Sequence, residues 1–588
     1  MHWETPTPAR LGQRSEGSDE EPEGPGARAL SPALQGLVAL VIYLAVFIVG
    51  FGRSLVGGLD VPRVGQDVTD PNFYIWAMGW WPYALSHGLN PLYSHAIGAP
   101  AGYNLAAWAS STPSLAVLMW PVTAAFGPIT SFNVALLLAP PSAAWAAFVA
   151  ARRLTGRFWA ALMAGAVYGF NVNEVNRDTR GWLNVTVSLL FPVLVYLVLL
   201  WWDGTLGRTG FVIWMALALA LEFYTFTEAF FEMTLVILAA LVTGFAVAGR
   251  AARRTVSRLA GLIAIAYAGA GLLASPYLLD ELLHLPAGLI RNTWGFSLRL
   301  PDLVSKKSTV YVGTPLLVLL LMFAVLTWSS KVTRLLVVTF AAIIALGVGP
   351  VLVVGRKQVF TLPWSGLWSL PVARDAEGNR FIVFGYLVLA IVLALWLAAP
   401  VRSRLLLTAR WGLAVLALAA IFADLPTFAN VVVPPPPTLQ AAVPALRPTN
   451  TLPAFLTDHL YRRYLKPGET VVVISDRVNA GDLFQADADF YFRIAGGFIN
   501  ISLNNVSALP APVTQLADPT PARERAFLGY VRAAGVGAVI VERAWESKWM
   551  RVFGRLGMRS TTVGGVTLYR VSSGHGAGLP VREAAGQP

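Results

Sequence analysis

Residues 64–92 read VGQDVTDPNFYIWAMGWWPYALSHGLNPL, an acidic and aromatic stretch between two long apolar runs. Asp67 and Asp70 come first, and an aromatic segment follows them. That segment carries Trp76, Trp80 and Trp81. Such rings favour the headgroup layer of a bilayer, so the stretch predicts a surface helix just outside a membrane. Because Asp followed by Pro begins helices well, Asp70 is a candidate helix cap as well as a candidate acid.

The rest of the chain is strongly apolar. Of its 588 residues, 56% are hydrophobic and only 13% are charged, whereas soluble domains have about 25% charged residues. The net charge of +12 comes from short basic clusters between apolar runs, which indicates membrane topology rather than nucleic-acid binding. With no Cys, the chain has neither disulfides nor thiolate metal ligands.

The apolar runs predict a polytopic α-helical membrane protein, since about 20 apolar residues cross the hydrocarbon core as a helix. We count about 11 transmembrane helices. Their approximate bounds are 33–51, 130–151, 158–171, 185–202, 210–224, 229–247, 258–276, 312–329, 334–354, 380–399 and 408–425.

The basic clusters orient these spans. Placing the N-terminus in the cytoplasm puts every short basic connection inside, and an odd number of spans then puts the C-terminus outside. Those connections include Arg152 and Arg153, Arg250 to Arg258, and Arg402 to Arg410. The apolar stretch 112–126 is short and Pro-containing, so it is expected to lie along the outer surface instead of spanning.

Composition divides the chain into five parts. A disordered cytoplasmic tail is expected at 1–32, followed by the transmembrane domain at 33–430 with a long first outer loop at 52–129. A Pro-rich linker at 431–445 leads to an extracytoplasmic α/β domain at 446–575, and a disordered tail at 576–588 ends the chain. Strands are predicted at 471–475, at 536–541 and around 567–570.

Several motifs resemble those of one protein family. They are D-P-x-F-x-x-W-x-x-x-W-x-P-x-A-L-x-H-G-x-N-P-L at 70–92, P-x-G-x-N-L at 100–105, G-W-L-N-V at 181–185 and T-E-A-F at 227–230. Together with the first outer loop, the many spans and the terminal domain, they resemble the GT-C superfamily of membrane glycosyltransferases. The resemblance is nearest to an uncharacterised actinobacterial GT-C-like group, from which the chain departs at Trp182, where a His is expected.

The resemblance implies transfer of a sugar from a polyprenyl-phosphate carrier to a glycan or lipid acceptor of the cell envelope, at the outer face of the cytoplasmic membrane. The enzyme would be a hexosyl- or pentosyltransferase. Asp70 would be its general base, with Asp67 as a helper or substrate ligand.

A phosphate-bearing substrate requires cations on the outer side. By the predicted topology seven basic residues lie in outer loops, against the inside-positive trend. They are Arg291, Lys306, Lys307, Arg356, Lys357, Arg374 and Arg380. Arg380 is the strongest candidate for the phosphate, with Arg374 beside it. The alternative is that Arg380 snorkels or pairs with Asp375 and Glu377.

Other polar residues lie near the outer ends of spans. Glu222 and Glu228 flank a turn between two spans, Glu232 follows one helical turn later, and Arg180 belongs to the neighbouring outer loop with Arg177 and Asp178. They are candidates for sugar binding or for structural ion pairs. His87 is a further substrate-binding candidate. No metal-ligand set is assigned, and a divalent metal is left open.

Two other functions fit the sequence. A transporter or flippase for an amphiphilic lipid would place charges at mid-membrane in paired halves, whereas the charges here collect at outer span ends. A non-catalytic scaffold with an envelope-binding outer domain is consistent with Trp182 in place of the expected His.

Overall fold

The computed structural model describes residues 31–62, 70–108, 110–284, 296–306, 308–354, 357–369, 376–401, 403–425, 451–475, 479–497, 510–516, 518–542 and 546–571. The predicted tail at 1–32 lies outside these residues except for Ser31 and Pro32, where a helix begins. The predicted tail at 576–588 and the predicted linker at 431–445 lie outside them entirely. The described residues divide into two compact units. We call them the membrane unit (1–59, 112–115 and 133–430) and the sheet unit (60–111, 116–132 and 431–588).

Each of the eleven apolar runs contains a helix. The helices are Pro32–Phe47, Trp120–Thr155, Phe158–Gly169, Leu190–Trp202, Arg208–Thr225, Thr227–Val247, Arg250–His284, Thr314–Thr327, Lys331–Gly347, Ile382–Ala398 and Arg404–Phe422. Among the described residues, seven helical segments are long and apolar enough to cross a membrane, and two shorter apolar helices accompany them. The protein is therefore a multi-pass membrane protein, and the count of eleven spans stays a prediction.

One predicted span ends earlier than expected. The run 334–354 is helical only to Gly347, after which Gly349 has a positive φ of 84° and Pro350 follows. Val351–Val354 then forms a strand that pairs antiparallel with Lys357–Thr361. The β-branched residues of this run favour a strand once Gly and Pro have ended the helix.

The stretch 112–126 forms two helical pieces. A helix at Pro113–Leu118 precedes the long helix Trp120–Thr155, whose backbone is not helical at Gly127 (φ 83°, ψ 168°). Gly supplies this conformation without a steric penalty. Residues 120–126 are thus separated by a kink from the part that contains the predicted span 130–151, and their position at a membrane surface remains a prediction.

Close packing in the membrane unit depends on small residues. Gly165 and Gly169 lie in the helix Phe158–Gly169, and a Cβ at either position would come within 2.5 Å of backbone atoms of Ala144. Helices in lipid associate through such small residues because they let backbones approach closely.

The sheet unit combines residues of the predicted first outer loop with residues of the C-terminal part of the chain. Nine strands are described in the chain: β1 Tyr93–Ser94, β2 Tyr103–Asn104, β3 Val351–Val354, β4 Lys357–Thr361, β5 Thr470–Ile474, β6 Arg493–Ile494, β7 Val536–Glu542, β8 Arg559–Val563 and β9 Val566–Arg570. The last five form a mixed sheet in the order β6-β5-β7-β9-β8, parallel across β6, β5 and β7 and antiparallel beyond. The predicted strands at 471–475, 536–541 and 567–570 are confirmed, whereas β8 was not predicted.

The sheet is covered by helices of the same unit. They are Ala480–Asp487, Pro521–Ala533 and Glu546–Arg555, and the first-loop helix Pro71–Ser86 packs against Ala480–Asp487. Phe527, Val531 and Phe553 pack on β5 and β7 in the core. The α/β character expected for 446–575 is therefore present in the described part of that range.

The expectation that the three Trp residues of the first-loop helix lie in the headgroup layer was wrong. Trp76 is fully buried, and Trp80 and Trp81 are 2% and 6% exposed. The Trp76 ring stacks on Trp80 with centroids 5.4 Å apart, and its Nε1 donates to Gln485 Oε1 at 2.7 Å. The aromatic face is covered by the protein itself, which suits Trp because a buried indole needs both apolar contacts and an acceptor.

Candidate functional site

A short helix in the membrane unit carries most of the buried polar residues. This helix, Val172–Thr179, has the sequence VNEVNRDT, and we call it the Arg177 helix. Asn171 caps it, because its Oδ1 accepts from the backbone N–H of Glu174 at 2.9 Å. Seven of its eight residues are buried. The polar loop predicted between two spans is thus a packed helical turn.

Arg380 lies between two carboxylates. Its Nη1 contacts Glu228, and its Nη2 lies 3.2 Å from Glu377 Oε1. The backbone N–H of Glu377 also donates to Glu228 Oε1 at 2.6 Å, and the guanidinium carbon lies 5.0 Å from the centre of the Phe226 ring. The pairing with Glu377 that the sequence offered as an alternative to phosphate binding is present, and Glu228 adds a second partner from another helix.

Arg177 brings a second cation to the same region. It is 2% exposed, and its Nη2 donates to Asn379 Oδ1 at 3.0 Å, one residue before Arg380. Burial and the nearby Arg380 lower the pKa of Arg177 to about 10, and this value leaves the guanidinium charged at neutral pH. Two guanidinium groups therefore occupy one low-dielectric region.

Carboxylates surround these cations. Glu232, buried one turn after Glu228, interacts electrostatically with both arginines. Glu174 accepts a hydrogen bond from Ser188 Oγ at 2.9 Å and interacts with Arg177 and with the buried Glu222. Such groups are tolerated in a membrane protein where they face partners or a polar cavity. We call Arg177, Arg380, Glu228, Glu232 and Glu377 the arginine cluster.

Two predicted site residues make other contacts. Arg180 donates to Asn176 Oδ1 at 2.8 Å, and its guanidinium lies 5.2 Å from the centre of the Trp182 ring. His87 belongs to the sheet unit, where it is exposed and stacks on Tyr83 with ring centres 4.1 Å apart. The contacts described for Arg180 and His87 do not involve residues of the arginine cluster.

Asp70 immediately precedes the first-loop helix. It is half-buried, and within this helix its side chain makes no capping hydrogen bond. Pro71 is the first helical residue, as predicted, but the carboxylate does not have the role of a cap. Asp67, Arg374 and three of the other proposed outer cations lie outside the described residues. Those three are Arg291, Lys307 and Arg356. Asp375, the other carboxylate considered as a partner of Arg380, lies outside them as well.

Sequence reasoning missed the roles of Glu174 and Asn379. A local signal existed for Glu174, because Asn171 followed three residues later by Glu is a helix-start pattern. The string NEVNRDTR is also unusually polar for a chain with 13% charged residues. No such signal existed for Asn379, whose contact with Arg177 joins residues 202 positions apart.

No protein-family model matches the chain, and no curated protein sequence matches it. Solved structures do resemble it. The arabinofuranosyltransferase AftD from Mycobacteria aligns over 93% of this chain and 40% of its own, with 13% identity and a TM-score of 0.51. ArnT from Cupriavidus metallidurans, bound to undecaprenyl phosphate, aligns over 93% of this chain and 100% of its own, with 11% identity and a TM-score of 0.51.

The chain has a GT-C-like fold. An oligosaccharyltransferase from Archaeoglobus fulgidus resembles it as well, over 92% of this chain and 74% of its own, with 11% identity and a TM-score of 0.50. At these identities the likeness concerns the fold alone, and the chain spans less than half the length of AftD. The GT-C-like fold expected from the sequence is confirmed, whereas the particular actinobacterial group stays a prediction.

Proposed function

We propose that this protein is a membrane glycosyltransferase that moves a sugar from a polyprenyl-phosphate carrier to a glycan or lipid of the cell envelope, at the outer face of the membrane. The observation that carries the proposal is the fold, which more than nine-tenths of the chain shares with AftD and with ArnT bound to undecaprenyl phosphate. A shared fold does not by itself establish an activity. The residues of the candidate site must therefore also be able to bind the phosphate and carry out the transfer.

The arginine cluster suits a phosphate. Guanidinium groups donate paired hydrogen bonds to phosphate oxygens, and burial strengthens that attraction. Arg380 is already held by Glu228 and Glu377, so Arg177 is the better donor and Arg380 contributes mainly charge. Arg374 keeps the phosphate-binding role inferred from the sequence.

Asp70 is the proposed general base, with Asp67 as its helper. The acceptor hydroxyl oxygen attacks the anomeric carbon, and the bond from that carbon to the phosphate oxygen breaks. The hydroxyl proton passes to the Asp70 carboxylate, and the phosphate leaves on its lipid. Asp70 lies half-buried at the start of the first-loop helix, where its side chain makes no capping hydrogen bond.

Asp70→Asn tests this assignment, since Asn retains the shape of the side chain but cannot take up the proton. A general base accounts for roughly 10²–10⁴-fold in rate, so we expect the variant to transfer sugar more slowly by that factor with unchanged thermal stability. Transfer is measured with purified protein in nanodiscs and undecaprenyl-phosphate-linked sugars. Asp60→Asn, at an exposed Asp of the same loop, is the matched control. An Asp70→Asn rate equal to that of the control would remove Asp70 from catalysis.

A further inference from the structure

The polar side chains of the Arg177 helix fall into two classes. Most have partners in the protein. Asn173 Nδ2 donates to the Thr309 carbonyl at 3.0 Å, Glu174 accepts from Ser188, and Thr179 Oγ1 donates to the Asn176 carbonyl at 3.0 Å. These hydrogen bonds are made within the protein, so a structural role of the helix is enough to explain these three side chains.

Arg177 and Asp178 differ from their neighbours. Among the residues that the structure describes, Nε and Nη1 of Arg177 and both carboxyl oxygens of Asp178 are buried without a hydrogen-bond partner. Arg177 is 2% exposed and Asp178 is fully buried. Buried polar groups are rarely left unpaired, because the desolvation penalty is then uncompensated. Two consecutive residues therefore present donors and acceptors that the described protein does not use.

The two residues are linked through Glu174. Glu174 lies three positions before Arg177 and four before Asp178, on the same side of the helix, and it interacts electrostatically with both. Arg177 in turn interacts with Arg380 and Glu377 of the arginine cluster. The unused groups are thus continuous with the region proposed to hold the phosphate.

The combination restricts the ligand. A simple anion would satisfy Arg177 and leave Asp178 unpaired, whereas a metal cation would satisfy Asp178 and be repelled by Arg177. A glycosyl phosphate carries hydroxyl donors next to an anionic group and satisfies both. Burial and Glu174 raise the pKa of the Asp178 carboxyl well above its usual range, which favours the neutral form that both donates to and accepts from hydroxyls.

We propose that Arg177 and Asp178 form the subsite for the sugar that is transferred, with Asp178 hydrogen-bonded to sugar hydroxyls and Arg177 to the phosphate that carries the sugar. This inference rests on the proposed function, because its ligand is the donor substrate of that reaction. Asp178 is then a specificity-determining residue, and it distinguishes a loaded carrier from a bare one.

The test compares affinities for two lipids. Full-length protein in nanodiscs is titrated with undecaprenyl phosphate and with undecaprenyl phosphate bearing glucose, mannose or arabinose, and binding is followed by native mass spectrometry. Soluble 1-phosphates of the same sugars are a separate arm. The measured quantity is the discrimination factor, which is the affinity for the best loaded carrier divided by that for the bare carrier.

We expect a discrimination factor of at least about tenfold for the unmodified protein, typical of hydrogen bonds to buried polar groups. Asp178→Leu should reduce it to about one while changing bare-carrier affinity less than about twofold. Asp178→Asn should retain most of the discrimination. Arg177→Gln should lower the affinities for the loaded and the bare carrier by a similar factor of about ten or more. Thr179→Val, the control on the same helix, should change neither affinity.

Folding and binding are separated by thermal unfolding without ligand. Because Asp178→Leu removes no described protein hydrogen bond, it should unfold at or above the temperature of the unmodified protein. A lower unfolding temperature with unchanged discrimination would mean that buried water or another part of the chain satisfies Asp178, and would overturn the proposal.

The remaining outcomes separate this inference from the proposed function. Carrier binding with a factor near one for every sugar would overturn the sugar subsite and leave the carrier role intact. Binding of soluble glycosyl phosphates that depends on Asp178, without binding of any lipid, would support the subsite and contradict the carrier. If neither lipids nor soluble glycosyl phosphates bind, both proposals fall.

Discussion

Arg380 forms ion pairs with two buried carboxylates. The side chains of Glu228 and Glu377 are only 8% and 7% exposed, and both contact its guanidinium. Removing one partner of a buried ion pair costs about 3–5 kcal/mol, since it leaves the remaining charge uncompensated. We therefore expect Arg380→Ala to lower the thermal stability of the protein strongly. Arg380→Lys should have an intermediate effect, because one ammonium does not reproduce the two-armed contact.

Thermal unfolding of the purified variants in nanodiscs measures this effect. Arg404→Ala is the control, because Arg404 is an exposed Arg at the start of another membrane helix. Equal unfolding temperatures for Arg380→Ala and the control would show that the two carboxylates do not need Arg380.

At the scale of elements, Gln485 connects three segments of the sheet unit. It accepts from Trp76 in the first-loop helix, and its Nε2 donates to the carbonyls of Ala96 at 2.6 Å and Phe492 at 2.7 Å. All three partner atoms are thus bonded to one fully buried amide.

Gln485→Met keeps the approximate volume and leaves the Trp76 indole N–H and the Phe492 carbonyl without that partner. The Ala96 carbonyl still accepts from the backbone N–H of Ile494 at 2.9 Å. Each unsatisfied buried group costs about 1–3 kcal/mol, so we expect the sheet unit to become much more sensitive to proteolysis. Limited proteolysis of the full-length protein, with fragments identified by mass spectrometry, measures this. Gln515→Met, at an exposed Gln of another short helix, should leave the cleavage rate unchanged. Equal rates for the two variants would mean that the contact contributes little.

The sequence predicted the elements better than their packing. Apolar runs and the strand-like VVVI and VGAVIV segments are local patterns. The bounds predicted for these two strands lie within a few residues of the observed ones. The burial of Trp76 was not predictable in this way, because the same ring suits a membrane interface and a protein core. Its partner Gln485 lies 409 residues away, and no local pattern indicates such a contact.

The candidate site shows the same limit. The ion pair of Arg380 with Glu377 spans three residues and was considered from the sequence, whereas the contact with Glu228 joins residues 152 positions apart. Whether the buried groups of Arg177 and Asp178 find partners among the described residues depends on every side chain packed around them. The sequence alone does not show which side chains surround these two residues.

For the whole molecule, orientation in the membrane is the prediction with the widest consequences. From the inside-positive clusters we predict that Ala251 lies in the cytoplasm and the sheet unit outside. Because the chain has no Cys, single cysteines report position without a background. Ser560 in β8 and Ala251 are both exposed, so accessibility in the folded protein does not bias the comparison.

We expect Ser560→Cys to react with a membrane-impermeant maleimide in intact cells, and Ala251→Cys to react only after the cells are opened. The extent of labelling is read on purified protein by mass spectrometry. Labelling of Ala251→Cys in intact cells, with protection of Ser560→Cys, would reverse the orientation and remove the outer-face site.

Breakage of the bond between sugar and carrier is the step on which every proposed role depends. The purified protein in nanodiscs is incubated with undecaprenyl-phosphate-linked sugars and an envelope lipid and glycan extract, and carrier and acceptor are followed by mass spectrometry. The proposed function predicts release of bare undecaprenyl phosphate matched by an acceptor that has gained one sugar. A carrier that crosses the bilayer with its sugar still attached, and no glycosylated acceptor, would contradict it and identify a flippase.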